Sequence, residues 1–268
     1  MKNIILRGIL LIISFVFVWF IFSQINWTSI LKVDKATEKT EEKLGELFWN
    51  VIKSNETVNK NPFVIQSVDS IVTRITTENK INKNKLQVHI IESNEINAFA
   101  LPNGHIIILT GLINASENPE ELSGIISHEI AHLELNHVMK KLIKEFGLTA
   151  IISISSGNTG AEIIKEMTKL ISSSAFDRSM EKEADLKAVE YLVNANINPE
   201  SFADFLYKLS DKENKYSKYT TWISTHPESK KRATYIINEV DNKVIKSIPI
   251  LSPNTWNRLK EETQIKIN

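Results

Sequence analysis

His128 and His132 stand four residues apart, so any α-helix that contains them stacks both imidazoles on one face. Imidazoles held this way can grip a single zinc ion. Glu129 between them lies near enough to take a proton from an attacking water. Two histidines leave zinc short of a protein ligand. An extended HExxHxxGxxH arrangement would need Gly at position 135 and His at 138, where the chain has Leu135 and Val138. His137 follows His132 by five residues, off the metal face of a continuing helix, and reads as a surface residue or a support behind the ligands. Further along, Glu181-Lys182-Glu183-Ala184-Asp185 sets Glu181 and Asp185 one turn apart. Glu181 is the candidate third ligand. Asp185 is the candidate acceptor for the free N–H of a ligating imidazole, which would orient that ring and raise its basicity. The competing reading of this acidic run is a solvated charged face.

These side chains need rigid elements to carry them. Asn118-Pro119-Glu120-Glu121 reads as a helix start, with Asn as the cap, Pro at the first position and acids in the first turn. Leu122, Ile125, Ile126, Ile130 and Leu133 then recur at helical spacing and give that helix a buried face. Met180 to Asn194 reads as a second amphipathic helix, with Ala184, Ala188, Tyr191 and Leu192 on its apolar side. Leu44 to Ile52 and Phe63 to Thr77 repeat in the same way. Asn82 to Lys85 marks a turn, and Leu86 to Ile91 alternates as a strand. Leu142 to Ser174 is expected as a helical hairpin over the cleft, because Glu162, Lys165, Glu166 and Lys169 make one face polar; a membrane contact is the alternative. Helices are also expected over Glu200–Leu209 and Glu228–Val240.

The pairing of HExxH with Glu181-x-x-Ala184-Asp185 resembles the gluzincin metallopeptidases of the CAAX-prenyl-protease-like family, which includes HtpX, BepA and Oma-type proteases. Other strings carry the same resemblance. Asn97 to Gly104, followed by His105 to Leu112, is similar to the family's strand pair before the active-site helix. Asn103 stands at a usual glycine, which a tight turn tolerates because Asn accepts positive φ. Asp177-Arg178-Ser179-Met180-Glu181 resembles its lead-in to the acidic ligand, with Asp177 in place of a usual serine. Thr225-His226-Pro227 with Arg232 resembles its late His-Pro-x-x-x-x-Arg element. The resemblance runs from about Glu42 to Val240. It implies a mostly helical α+β, zincin-like domain with a small sheet whose edge strand lies beside the HExxH helix. It implies one zinc per chain on His128, His132 and Glu181, with Glu129 as general base. Asn97, Ala98 and Phe99 would lie on the edge strand, where an extended substrate adds through main-chain hydrogen bonds. For His226 the resemblance leaves two roles, stabilising the oxyanion or capping the zinc; a helix-capping His-Pro turn is the bland alternative.

Lys plus Arg and Asp plus Glu each total 32, so the formal net charge is zero, with no basic bias or motif for nucleic acid. Cysteine is absent, which excludes disulfides, thiolate ligands and a thiol nucleophile. No G-x-S-x-G, Walker loop or dinucleotide fingerprint occurs. Near the start, Lys2 and Arg7 precede an uncharged apolar run from Gly8 to Phe22. Counted from Ile4 with Arg7 snorkelling, the run approaches the ~20 residues a bilayer requires. An uncleaved anchor is favoured over a signal peptide because no small-x-small site follows Phe22. The expected organisation is residues 1–26 as membrane anchor or signal segment, 27–42 as linker, 43–245 as peptidase domain and 246–268 as C-terminal extension. The expected function is membrane-tethered, zinc-dependent hydrolysis of unfolded or misassembled proteins on the periplasmic side, in envelope quality control. A latent, chaperone-like zinc protein and a form secreted after signal cleavage are the alternatives.

Overall fold

The structure, a computed structural model, describes residues 33–157, 160–211, 220–240 and 247–265. Its sheet has three strands, β1 (Gln87–Ile91), β2 (Ala98–Leu101) and β3 (His105–Leu109), in the order β1-β3-β2. β3 pairs parallel with β1 and antiparallel with β2. Ile106, Ile107, Ile108 and Leu109 run without a polar break because both faces of this central strand are covered. The β2–β3 turn holds Asn103 at φ 60° and Gly104 at φ 73°, as the tolerance of Asn for positive φ leads one to expect. A Cβ on Gly104 would lie 1.8 Å from the Lys85 carbonyl oxygen, so no other residue fits there.

Twelve α-helices among the described residues surround this sheet. On one side lie α2 (Pro62–Glu78), α4 (Pro119–Glu134), α8 (Arg178–Asn194), α9 (Glu200–Asp211), α11 (Ser229–Val240) and α12 (Pro253–Glu262). Ile71, Ile106, Ile108, Ile125, Leu192 and Phe202 meet in their shared core. Gly124 lets α4 and α9 close up: a Cβ there would sit 2.5 Å from that of Phe202. On the other side, α1 (Val33–Asn55), α5 (His137–Phe146), α6 (Leu148–Ser155) and α7 (Ala161–Ser173) contribute Leu44, Phe48, Leu142, Ile151 and Met167 against Phe99 and Ile107. Short helices α3 (Thr110–Ala115) and α10 (Thr220–Thr225) complete the set.

The architecture is the expected mostly helical α+β fold with a small sheet. The chain divides into two units, 1–40 and 41–268; of the first, residues 33–40 are described, as the opening of α1. Of the stretch 27–42 expected as linker, the described residues, 33–42, are helical. The expected anchor lies outside the described residues, and no described helix is long and apolar enough to cross a membrane. The described residues within 142–174 lie mostly in α5, α6 and α7, and Glu162, Lys165, Glu166 and Lys169 are exposed on α7. The segment expected as an extension buries Trp256 and Leu259 in the first core. Its Trp256 Nε1 donates to the Glu117 carbonyl at 3.1 Å, and Lys260 Nζ donates to that of Ser116 at 2.8 Å.

Candidate metal centre and active site

Helix α4 begins as its sequence dictates: the Asn118 side chain accepts the Glu121 N–H at 2.8 Å, with Pro119 at the first position. Glu121 reaches back to accept the Glu117 N–H at 2.8 Å and holds Lys208 at the same distance. From this clamped start, the helix carries His128, Glu129 and His132 into the interior, all fully buried. Packed across it, α8 delivers Glu181 from its first turn and Asp185 from its second. The turn after α10 brings His226, whose N–H bonds the Trp222 carbonyl at 2.8 Å and whose ring stacks on the Trp222 indole at 4.1 Å. Four ligand-type groups therefore converge. His128 Nε2 and His132 Nε2 are 3.0 Å apart, and Glu181 oxygens lie 3.6 Å and 3.4 Å from them. His226 Nδ1 is 3.3 Å from His128 Nε2 and 3.0 Å from Glu181 Oε1.

Behind these groups stands a layer of supporting contacts. Asp185 Oδ1 faces His128 Nδ1 at 2.9 Å. Arg232 of α11 donates to both Asp185 oxygens, at 2.7 Å and 2.8 Å, and its Nη1 lies 2.7 Å from Glu181 Oε2. The Tyr235 hydroxyl also donates to Asp185. On the other flank, His137 Nδ1 is 3.1 Å from His132 Nδ1, and its Nε2 is 3.2 Å from Glu183. Phe176, in the turn before α8, stacks on His132 with ring centres 4.1 Å apart. Lys141 holds this cover, its Nζ lying over the Phe176 ring at 4.4 Å and donating to the Ser174 carbonyl.

Residues 64–240, about two-thirds of the chain, match Peptidase family M48. The chain belongs to that family. It is 29% identical to the mitochondrial metalloendopeptidase OMA1 of Bos taurus, over 56% of this chain and 31% of the relative. It is 25% identical to a putative beta-barrel assembly-enhancing protease of Vibrio cholerae, over 71% of this chain and 42% of the relative. The beta-barrel assembly-enhancing protease of Escherichia coli K12 is 22% identical, over 70% and 41% respectively. The chain thus spans between about a third and two-fifths of these relatives' length. As an M48 peptidase it is by family a metalloprotease.

The residues of this M48 centre fit a metal. Ligand atoms of His128, His132, Glu181 and His226 all lie within 4.8 Å of one another. A tetrahedral ion with bonds of about 2.0–2.1 Å has donor–donor edges near ~3.3 Å, and the neighbouring pairs here run from 3.0 to 3.6 Å. Burial, then neighbouring His132, push His128 down to about 3, so its ring is neutral at pH 7 and keeps a lone pair. Burial lowers His132 as well. For Glu181, burial alone would raise the pKa, but His226 and Arg232 outweigh it and hold the carboxylate well below its usual range. Asp185 is lowered against burial in the same way, by Arg232 and His128. Glu129 moves oppositely. Burial pushes it well above the usual range and Glu181 adds to the rise, while the Ala100 main chain opposes it. Among the described residues, neither Glu129 oxygen has a hydrogen bond of good geometry. A buried carboxyl this weakly held and with a raised pKa is suited to accept and release a proton.

The structure brings His128, Glu129, His132, Glu181, Asp185 and His226 into one cluster. Asn97, Ala98 and Phe99 are buried at β2, an outer strand of the sheet, with α7 packed against it and Asn97 Nδ2 3.5 Å from the Ser172 carbonyl. The reading of the acidic run as a solvated face fails for Glu181 and Asp185, which are buried, and holds for Glu183, which is exposed. Of the two readings of His137, the surface position fails, since the residue is buried behind His132 as the second reading has it. Helix α4 stops at Glu134, and Asn136 takes the left-handed conformation, φ 56°, turning His137 back towards His132. An Asn just past the last apolar turn is the signal for that reversal. Tyr235, Trp222, Phe176 and Lys141 were missed. Arg232 was marked only by its spacing from His226.

Proposed function

We propose that the chain is a zinc-dependent endopeptidase held in a closed resting state. The observation that carries this reading is the buried convergence of His128, His132 and Glu181 beside the buried carboxyl of Glu129. His128, His132 and Glu181 would hold the zinc. When bound, the metal supplies Lewis-acid polarisation of the scissile carbonyl and acidifies the attacking water. Glu129 takes the proton from that water and hands it to the departing amine, a role its raised pKa favours. Asp185 fixes the His128 ring, and Arg232 neutralises the two carboxylates that would otherwise sit uncompensated in the interior. His226 lies among the ligands, 3.0 Å from Glu181 and 3.5 Å from Glu129. That position favours a capping role over oxyanion stabilisation, so entry of substrate requires the His226 turn to withdraw. An extended polypeptide would then pair with Asn97, Ala98 and Phe99 once α7 moves off β2.

Unfolded or misassembled proteins are the proposed substrates, in keeping with relatives named for enhancing beta-barrel assembly. The apolar run from Ile4 to Phe22 would tether the enzyme to a membrane with its body on the extracytoplasmic side. Purified full-length protein should carry one zinc per chain and hydrolyse unfolded casein, with activity lost on chelation and regained with zinc. A chain free of zinc at neutral pH overturns the proposal. Full zinc without hydrolysis, even for a His226→Ala variant, would leave a latent binding protein. Deleting residues 1–26 should release the protein from membranes; complete retention would transfer the tether to the exposed apolar residues Leu148, Ile152 and Ile163.

A further inference from the structure

The two proposed imidazole ligands turn Nε2 inward, and each must dispose of its other ring nitrogen. For His128 the partner is Asp185, a buried carboxylate that can only accept, so the His128 proton sits on Nδ1 and Nε2 is free. His132 has no carboxylate at that position. Its Nδ1 faces another imidazole nitrogen, Nδ1 of the fully buried His137, at 3.1 Å. One proton lies between two such atoms, and which ring owns it decides whether His132 can bind a cation.

Glu183 makes the choice. If His137 owned the shared proton, its Nε2 would be bare and would face the Glu183 carboxylate at 3.2 Å, acceptor against acceptor. His132 would then carry its proton on Nε2, turned towards His128 Nε2 at 3.0 Å and blocking the metal. In the other arrangement every contact is donor to acceptor. His137 Nε2–H donates to Glu183, His132 Nδ1–H donates to His137 Nδ1, and the His132 Nε2 lone pair points at the centre. We propose that His137, backed by Glu183, is a positioning residue that fixes His132 in its metal-binding tautomer. The inference rests on the metal reading above. It gives Glu183 a task distinct from those of Glu181 and Asp185, although all three share one and a half turns of α8. It also assigns a purpose to the left-handed Asn136, without which His137 would continue along α4 and miss His132.

Zinc affinity of the full chain, measured by competition with a chromophoric chelator, provides the test, together with 15N shifts of the histidine rings in metal-free protein. His137→Leu should weaken zinc binding by about 10- to 100-fold. His137→Asn, whose amide oxygen stands where Nδ1 stood, should recover most of that loss. Glu183→Gln can serve either tautomer, so it should keep the fold and show His132 with its proton shared between both ring nitrogens. If His137→Leu and wild type bind zinc equally while circular dichroism shows the same fold, the proposal is overturned. A folded His137→Asn as weak as His137→Leu also overturns it. Should His137→Leu fail to fold, Glu183→Gln decides: a His132 tautomer identical to wild type counts against the proposal. A wild-type chain that binds no zinc removes the metal reading itself, whatever the variants do.

Discussion

Two histidine clusters lie in this molecule, and their difference shows what turns histidines into a site. Beside the sheet, Trp49 stacks on His89 at 3.7 Å, and His89 Nε2 faces His105 Nδ1 at 2.9 Å. Gln87 lies 3.2 Å from the remaining nitrogen of His105. Burial lowers both rings, His89 to about 4, much as it lowers His128, His132 and His137. Stacking, proximity and depressed pKa are thus common to the two. Among the described residues, no carboxylate makes a hydrogen bond to His89 or His105; three of their four ring nitrogens are engaged by each other and by Gln87. At the metal centre Asp185 engages the outer nitrogen of His128, His137 that of His132, and the inner lone pairs are left to converge with Glu181. Anchored outer nitrogens, rather than clustered imidazoles, mark the functional cluster.

The sharpest way to break this contrast is Glu129→Gln. It should retain metal and fold yet lower casein hydrolysis by about 10²–10⁴-fold, because the amide cannot take the proton from the attacking water. Activity near wild type would remove Glu129 from the chemistry. Next in size, Arg232→Met should reduce the free energy of urea unfolding by about 3–5 kcal/mol, since Asp185 and Glu181 lose the cation that compensates their burial. A loss below ~1 kcal/mol would mean that these carboxylates are not held as ions. His226→Ala, assayed at equal metal loading, should raise hydrolysis modestly by opening the capped position. A hundredfold loss would show instead that the imidazole stabilises the oxyanion.

The smallest effect belongs to the other cluster. The folded His89 takes up its proton only near pH 4, whereas the unfolded chain does so near 6.5. Its contribution to stability is therefore complete above about pH 6.5 and declines as the pH falls towards 4. His89→Gln should flatten that part of the stability profile and leave hydrolysis at pH 7 unchanged. A variant with the same acid slope as wild type would refute the assignment.

Local rules made much of this legible. Asn118-Pro119 capped α4 as written, and four-residue spacing carried His128 and His132 to one face. The spacing of Glu181 and Asp185 survived because α8 is unbroken through both. Legibility stopped where the chain changes direction. The left-handed Asn136 moved His137 from an apparent off-face position to the back of His132, a reversal that helical periodicity cannot express. Glu183 looked like surface charge because its partner comes from another helix. Cover by α7 and Phe176 likewise depends on tertiary packing. The resemblance implied an edge strand for a substrate, not a cleft already filled by the protein itself.

The stacking of Trp222 on His226 has an optical consequence. An indole in face-to-face contact with an imidazole is quenched when the ring is protonated and changes its emission when the ring leaves. Trp222 is fully buried, so its signal reports on this partner with little interference from solvent. Trp49 occupies the same relation to His89, in a part of the molecule that senses acid instead. With Trp19, Trp27, Trp49 and Trp256 replaced by Phe, withdrawal of the His226 turn becomes a fluorescence event. Opening can then be timed by stopped flow without an extrinsic label and before any bond is cut.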